Sequence, residues 1–344
     1  MKKIFLLLFL FLIFLSGCVS YEFGSKDLKE YEVEFIFINA GEEYRLDIHK
    51  QFENDNINIS KYELISIDND IATIKGEKIV GKNTGKTDIY ATLYEKSSKE
   101  KYFKKVATIY VVNIQNLNEI KTIEDIQNIK EDGHYILKND IDLSSINAWR
   151  PIEVFSGVFI NPDGYKIQNL SVPSRESLLD YNGCNMGLFK LLKNAYIDGL
   201  ILENVSIDVT DYNYDIAFVG GIASTIHYGV IRNCKVKGTL KSKHYAGGIV
   251  AMNTVGYILD CTFEGEIHTI GKEAKAGGIT GSSLTTKKSG GKIENCNVNA
   301  TVTSDHTAGG IVGALHEEEN IFNSTFTGTV DGKVHQGNII GIKN

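Results

Sequence analysis

The sequence predicts an all-β protein in which a β-sandwich of short strands is followed by a right-handed parallel β-helix with a short capping helix. Three observations predict this architecture. Residues 31–113 contain seven or so short runs rich in Val, Ile and Thr, with turn residues between them. Residues 114–344 repeat a Gly-Gly-Ile motif through alternating arms of about fourteen residues, as in a solenoid. Between these two parts, one segment has a helical pattern.

The composition is that of an ordinary globular protein and argues against nucleic acid as a partner. The chain has 344 residues, of which 42% are hydrophobic and 23% charged, enough apolar material for two cores. The formal net charge is −7, and without Lys2 and Lys3 it is −9, from 34 basic and 43 acidic residues. An acidic chain without a basic stripe is poorly suited to bind phosphate backbones.

The first residues have the form of an export signal that ends at a lipid attachment site. Two lysines precede an unbroken apolar run from Ile4 to Leu15, which is short for a membrane-spanning helix. The Leu-Ser-Gly-Cys sequence that ends at Cys18 resembles the lipobox of bacterial lipoproteins, in which the leader is cut before a cysteine that carries diacylglycerol. We therefore expect a signal peptide at 1–17, a lipid on Cys18 that binds the membrane, and a tether at 18–30. The alternative is an uncleaved membrane anchor.

The segment from Asp70 to Ile89 characterises the first domain. A short apolar strand is followed by a second one and by glycines at 81 and 85. This stretch resembles the end of bacterial Ig-like domains of group 2, except that Leu64 stands near the position of a usual aromatic residue. The resemblance covers 31–113 and implies a surface spacer or, alternatively, an adhesive module.

One helix is predicted between the two domains. Thr122 can cap it together with Asp125, and Gly133 stops it. One apolar stripe on this segment consists of Ile120, Ile123, Ile126 and Ile129. Such a helix would cover the open first coil of a solenoid.

The second half of the chain is built from two alternating motifs. Gly-Gly-Ile occurs at 220–222, 247–249, 277–279 and 309–311, with a degenerate Gly-Asn-Ile at 337–339. Between these lie Asn233-Cys234, Asp260-Cys261, Asn295-Cys296 and Asn323-Ser324. Short β-type runs in both arms predict a parallel β-helix in which glycines form corners of positive φ and the cysteines fill one buried column.

We predict that these cysteines are free, because in-register strands do not aim their Cβ atoms at one another. Disulfides are the alternative, since Cys184, Cys234, Cys261 and Cys296 form an even set in an exported protein. No cysteine pair has the spacing of a metal site, and no cofactor is expected.

Several segments resemble GLUG-type repeats, the β-helical modules of many surface proteins and of the region upstream of the catalytic part of IgA1-type metallopeptidases. The matching segments are Tyr135–Leu143, Trp149–Ile152, Phe155–Phe159, Ile167–Leu170 and Met186–Phe189. The sequence departs from the pattern at Glu153 and at Asn161–Asp163. The resemblance implies a non-catalytic, surface-exposed β-helix.

Catalytic motifs are absent from the sequence. His316-Glu317 lacks the second His of H-E-x-x-H, and no G-x-S-x-G occurs. A polysaccharide lyase or hydrolase is the enzymatic alternative, but the carboxylates do not repeat on one predicted face. Asp140 and Asp142 lie in the first-coil motif, where a structural role is favoured.

Irregular segments are the candidate contact surfaces, because added length in a solenoid forms loops outside the core. In Asp208–Asp215, Tyr212 and Tyr214 could stack on sugar rings, and the carboxylates of Asp208, Asp211 and Asp215 could hold Ca²⁺. Further segments are Ser174–Asn185, His268–Lys275 and Ser282–Gly291, the last with Lys287 and Lys288. Solvated loops are the simpler alternative for all of them.

Together these features predict a surface-exposed lipoprotein with a binding or adhesion role, whose ligand is a glycan, a cell-wall polymer or a host protein. A polysaccharide-active enzyme and a purely structural stalk are the alternatives.

Overall fold

The computed structural model describes residues 33–53, 57–96, 101–173, 185–213, 216–284, 291–316 and 321–343. The chain divides into two compact units, residues 1–113 and 114–344. Both are built mainly of β-strands. The described part of the chain includes no helix long and apolar enough to cross a membrane. The predicted signal peptide, Cys18 and the tether lie outside the described residues.

The described residues of the first unit form seven strands in two sheets. The strands are β1 (Glu34–Asn39), β2 (Glu43–Arg45), β3 (Ile59–Ser66), β4 (Ala72–Lys75), β5 (Lys78–Gly81), β6 (Gly85–Glu95) and β7 (Lys101–Val112). One sheet has the order β1-β7-β6-β3, with β1 parallel to β7 and the other pairs antiparallel. The other is an antiparallel β2-β5-β4 sheet. A short helix, α1, spans Ile48–Gln51.

Alternation of side chains explains why these strands bury one face. In β6, Thr87, Ile89, Ala91 and Leu93 are buried, and the residues between them are partly exposed. Residues from both sheets contribute to a single apolar core. The predicted number of strands is thus found, and the Ig-like identity of this unit stays a prediction.

The second unit is a parallel β-helix whose coils pass through four sheets. We number the sheets I to IV in the order in which a complete coil passes through them. Sheet I contains Asn118–Ile120, His134–Leu137, Val158–Ile160, Tyr196–Asp198, Val230–Arg232, Tyr257–Leu259, Lys292–Glu294 and Ile321–Phe322. Sheet II contains Ile141–Asp142, Lys166–Gln168, Ser171–Val172, Ile201–Asp208, Lys235–Ser242, Thr262–Thr269, Asn297–Ser304 and Thr325–Gly332. Sheet III contains Asn185–Met186, Phe218–Gly220, Tyr245–Gly247, Lys275–Gly277, Thr307–Gly309 and His335–Gly337. Sheet IV contains Ile152–Phe155, Phe189–Lys193, Ala223–His227, Val250–Thr254, Thr280–Ser283, Val312–Leu315 and Ile340–Lys343.

The corner between sheets I and II is formed by residues in the left-handed conformation. Asn233, Asp260 and Asn295 each have φ of 53° there, and Asn323 has 47°. These residue types tolerate the left-handed region better than other non-glycine residues. In the preceding coil, Gly199 has φ of 76° at the equivalent corner.

The glycines of the Gly-Gly-Ile motif are needed for a different reason from the one predicted. None of these paired glycines has positive φ, so the prediction that they are left-handed corners is wrong. A Cβ built on Gly248 would lie 2.2 Å from the carbonyl oxygen of Gly278 and 2.3 Å from the ring of Phe263. The motif is therefore glycine because adjacent coils pack too closely for a side chain there, and not because the backbone needs a left-handed conformation.

Three cysteines form one buried column beside the corner between sheets I and II. Cys234, Cys261 and Cys296 are fully buried free thiols. The Sγ of Cys261 lies 3.7 Å from the carbonyl oxygen of Ile231, one coil earlier. Ser324 continues the column, and its hydroxyl accepts a hydrogen bond from the Cys296 amide at 3.1 Å.

The predicted capping helix is present and shorter than its pattern suggested. It spans Ile123–Gln127 (α2) and follows a 3-10 turn at Ile114–Asn116. Thr122 and Asp125 form the expected reciprocal capping box. The stripe residues Ile120, Ile126 and Ile129 join the core of the β-helix, so the helix covers apolar residues at this end.

Candidate functional site

The described residues of two predicted irregular segments, Asp208–Asp215 and His268–Lys275, lie at one corner of the β-helix. Residues 209–213, 216–217 and 270–274 lie between a strand of sheet II and a strand of sheet III, and residues 174–184 lie outside the described residues. In the regular coil between the last two segments, Lys243 and His244 alone make this connection. Leu284 instead follows a strand of sheet IV and Gly291 precedes a strand of sheet I, and the residues between them lie outside the described ones. We call the first location the II–III corner.

Tyr212 does not serve as an exposed ring at this corner. Its side chain is 1% exposed, and its hydroxyl donates a hydrogen bond to the Pro173 carbonyl oxygen at 2.8 Å. The Nζ of Lys243 donates to the Tyr212 carbonyl oxygen. The prediction that Tyr212 stacks on sugar is therefore wrong, because its ring belongs to the buried apolar core of the β-helix.

Of the other predicted contact residues, only Asp208 and Asp211 lie within the described residues. Asp211 is exposed at the II–III corner. Tyr214, Asp215, Lys287 and Lys288 lie outside the described residues. Across the described part of the chain, no three His, Cys, Asp or Glu side chains converge as a metal site would require.

Asp208 shows how the nearby carboxylates are used. Its Oδ1 accepts hydrogen bonds from the Thr210 amide at 3.0 Å and the Thr210 hydroxyl at 2.6 Å, and Lys241 lies 3.4 Å away. Burial raises the pKa of Asp208, but the Thr210 hydrogen bonds and the Lys241 charge outweigh it and leave the pKa lowered. This carboxylate is occupied in holding the loop.

The first-coil motif residues also have structural roles, as predicted for Asp140 and Asp142. Asp140 accepts a hydrogen bond from the Lys166 amide at 2.8 Å, and Asp142 accepts one from the Asn169 side chain at 2.7 Å. The Asn169 and Ser144 hydrogen bonds lower the pKa of Asp142. Trp149 is 2% exposed, and its indole N–H donates to the Leu188 carbonyl oxygen at 3.2 Å.

A cavity of about 410 Å³ lies where the capping helix meets this first coil. Its lining includes both apolar and charged or polar residues. The lining residues are Gln127, Ile129, Ile146, Ala148, Trp149, Arg150, Pro151, Ile152 and Glu153. The ion pair between Glu153 and Lys190, at 2.7 Å, ties one side of the cavity to the next coil.

A line of side chains on sheet III, beside the II–III corner, forms the best-defined candidate surface. Phe218, Tyr245 and Lys275 are register partners in successive coils. The residues that follow them are Val219, Ala246 and Ala276, all members of the buried core. Because side chains alternate along a strand, the first set points away from that core. Together with His244 of the corner, we call these residues the aromatic stripe: Phe218, His244, Tyr245 and Lys275.

The aromatic stripe is continuous from ring to ring. The ring centroids of Phe218 and Tyr245 are 5.2 Å apart, and those of Phe218 and His244 are 5.7 Å apart. His244 stacks on Tyr245 with centroids 4.0 Å apart and an interplanar angle of 12°. The Nζ of Lys275 lies 4.8 Å from the Tyr245 centroid and 3.1 Å from its hydroxyl oxygen. All four residues are partly exposed, so aromatic rings and a lysine side chain lie together at the surface.

The two basic residues of the stripe, Lys275 and His244, differ in charge. Lys275 has no carboxylate within ion-pairing distance among the residues that the structure describes. The pKa of His244 is lowered, mainly by burial and then by the Lys275 charge, while Glu273 opposes this effect. A lowered pKa favours the neutral imidazole, so His244 contributes an aromatic surface and Lys275 is the cation of the stripe.

These residues were not predicted from the sequence, although the repeats contain a signal for them. Phe218, Tyr245, Lys275 and Thr307 each stand two positions before the Gly-Gly pair of their coil. Aligning the repeats on that pair places them in one column. The next member, Thr307, is fully buried, so the exposed stripe ends at Lys275.

Comparison with known proteins finds similarity to IgA1 proteases. No family model matches the chain. The chain is 25% identical over 285 residues to the Immunoglobulin A1 protease of Streptococcus pneumoniae serotype 4, covering 78% of this chain and 13% of that protein. A second Immunoglobulin A1 protease from Streptococcus pneumoniae is 26% identical over 289 residues, covering 78% of this chain and 14% of that protein.

The expected similarity to a region of IgA1 proteases is thus found in the curated relatives, of whose length the chain spans about an eighth. A solved structure named IgA1 Protease is 16% identical, with a TM-score of 0.44, and the alignment covers 84% of this chain and 28% of that one.

Proposed function

We propose that this protein is an exported lipoprotein, anchored to the membrane through Cys18, with a non-catalytic binding role. In this proposal residues 31–113 are a group 2 bacterial Ig-like domain and residues 114–344 are GLUG-type repeats. The lipobox pattern, the β-helical fold and the similarity to proteins named IgA1 protease over 78% of the chain support it. The ligand is a glycan, a cell-wall polymer or a host protein.

The observation that carries the binding role is the grouping of irregular segments beside the aromatic stripe. A purely structural stalk needs only regular coils, whereas at the II–III corner the described connection at 270–274 is longer than the two-residue connection of Lys243 and His244. Partly exposed rings next to such loops are typical of contact surfaces. The alternative, a polysaccharide-active enzyme, needs paired carboxylates beside the sugar. The four stripe side chains include none.

The anchoring is tested by comparing the full chain with a Cys18→Ala variant in a bacterial host. The wild type is expected in the membrane fraction with an incorporated palmitate label, and the variant unlabelled and free of that fraction. A wild type that stays unlabelled, or a variant that is equally labelled, would contradict lipidation at Cys18.

The binding role is tested by incubating the detergent-solubilised full chain with a panel of bacterial and host polysaccharides and with host serum proteins. Retention without shortening of the polymer is expected. Shortened polymers would instead support the enzymatic alternative. Failure to retain any polymer or protein would leave the structural stalk.

A further inference from the structure

We propose that the aromatic stripe binds a carboxylated polysaccharide, with sugar rings on Phe218, His244 and Tyr245 and a uronate carboxylate on the ammonium of Lys275. This assignment rests on the proposed binding function and adds the chemical class of the ligand and its site.

The stacking part of the proposal follows from the rings. A pyranose ring presents apolar C–H groups on its faces, and these pack well against an aromatic plane. Tyr245 supplies the central ring, flanked at 5.2 Å by Phe218 and at 4.0 Å by His244. Because Phe218 and Tyr245 belong to adjacent coils, the platform extends along the β-helix axis and suits a chain of sugars better than a single unit.

The anionic part follows from Lys275. Three of the four lysines in the strands of neighbouring sheet II, all but Lys235, are paired with carboxylates: Lys237 with Glu264 at 2.8 Å, Lys166 with Glu203 at 3.0 Å, and Lys241 with Asp208 at 3.4 Å. Lys275 has no such pairing within the described ranges and touches only a ring face and a hydroxyl. A ligand carboxylate would supply the missing counter-charge without displacing a protein carboxylate.

The same ring types occur elsewhere without this arrangement. His227 and Tyr228 form a ring pair with centroids 4.5 Å apart at the connection between sheets IV and I. Tyr228 is 45% exposed, and no lysine of the described ranges lies over its ring. This pair serves as the internal control, since it has an exposed tyrosine and a histidine without the cation.

The test measures binding of the detergent-solubilised full chain to polygalacturonate and to the same polymer with its carboxylates methyl-esterified. The variants Tyr245→Thr and Lys275→Thr introduce the residue that this column already has at Thr307, so that strand propensity is kept. The control is Tyr228→Asn, since asparagine tolerates the φ of 51° at that position. Circular dichroism establishes that each variant is folded, and Phe218→Thr replaces any that is not.

The wild type and Tyr228→Asn are expected to bind the acidic polymer, and Tyr245→Thr to bind at least about tenfold more weakly, the change that 1.4 kcal/mol of lost contact produces. Lys275→Thr is expected to remove the preference for the acidic polymer over the ester. Absence of binding to polygalacturonate, equal binding to the ester, or full binding by both stripe variants would overturn the proposal.

Failure of this proposal is distinguishable from failure of the proposed function. If another polymer or a protein is retained equally by the wild type and the stripe variants, the binding function stands and the stripe assignment falls. If the palmitate label is absent from Cys18, the anchoring falls whatever the stripe binds.

Discussion

At the scale of single residues, the corner between sheets I and II depends on the left-handed region of backbone space. Asn233 has φ of 53° and donates from its side-chain amide to the Asp198 carboxylate at 2.8 Å. An alanine in that conformation costs about 1–2 kcal/mol, and the lost hydrogen bond adds about 1 kcal/mol. The side chain thus stabilises both the corner and its contact with the preceding coil.

We therefore expect Asn233→Ala to lower the free energy of unfolding by about 2–3 kcal/mol, and Asn233→Gly by about 1 kcal/mol, since glycine relieves the strain but not the lost hydrogen bond. Urea unfolding followed by circular dichroism measures both. Equal losses in the two variants would show that backbone strain does not matter at this corner.

The buried thiols lead to a second prediction at this scale. Burial raises the pKa of Cys261 well above its usual value, and the neighbouring Cys261 thiol and burial raise that of Cys296. Since the thiolate is the reactive form, both residues should resist alkylation by iodoacetamide at pH 8 in the folded protein and react fully in urea. Peptide mapping by mass spectrometry reads each site separately. Rapid labelling of Cys261 in the native chain would contradict this column of buried thiols.

At the scale of elements, regular features were predictable because they follow from local chemistry. The capping box of Thr122 and Asp125 needs only three residues of context and was predicted correctly. The role of the glycine pairs was predicted wrongly, because the local sequence does not show that the backbone of the next coil packs against them. Tyr212 was misplaced for a related reason, since its hydroxyl bonds to Pro173, thirty-nine residues earlier.

The glycine pairs give a prediction about close packing. In Gly248→Ala the new Cβ would meet the Gly278 carbonyl oxygen at 2.2 Å and cannot be accommodated by rotating a side chain. We expect a loss of roughly 3 kcal/mol, the upper end of overpacking penalties. The control is Gly164→Ala, where φ is 76° and no atom lies within 4 Å, so that strain alone costs about 1–2 kcal/mol. Thermal unfolding compares the two, and a smaller loss for Gly248→Ala than for Gly164→Ala would exclude the packing explanation.

At the scale of the whole molecule, the candidate site is a surface that coils build jointly rather than a cleft. Phe218, Tyr245 and Lys275 are 27 and 30 residues apart in sequence, yet they are register neighbours because parallel coils stack. The sequence predicted the stacking, and the position of the insertions predicted that loops would carry contacts. The outward column itself was missed, because its members are chemically unlike one another and only the common register joins them.

Because each coil is stabilised by the coils on both sides of it, the same substitution is expected to lower the free energy of unfolding by different amounts along the β-helix. Val302 and Val330 are register partners in sheet II, but Val302 is fully buried between coils and Val330 is only partly buried in the last described coil. Removing two methyl groups costs about 1.6 kcal/mol of transfer free energy when burial is complete, and the cavity adds to this. We expect Val302→Ala to lower the free energy of unfolding by about 2 kcal/mol and Val330→Ala by less than half as much. Urea unfolding curves of the two variants give the comparison. Equal losses would mean that the coil of Val330 is covered as completely as the coil of Val302.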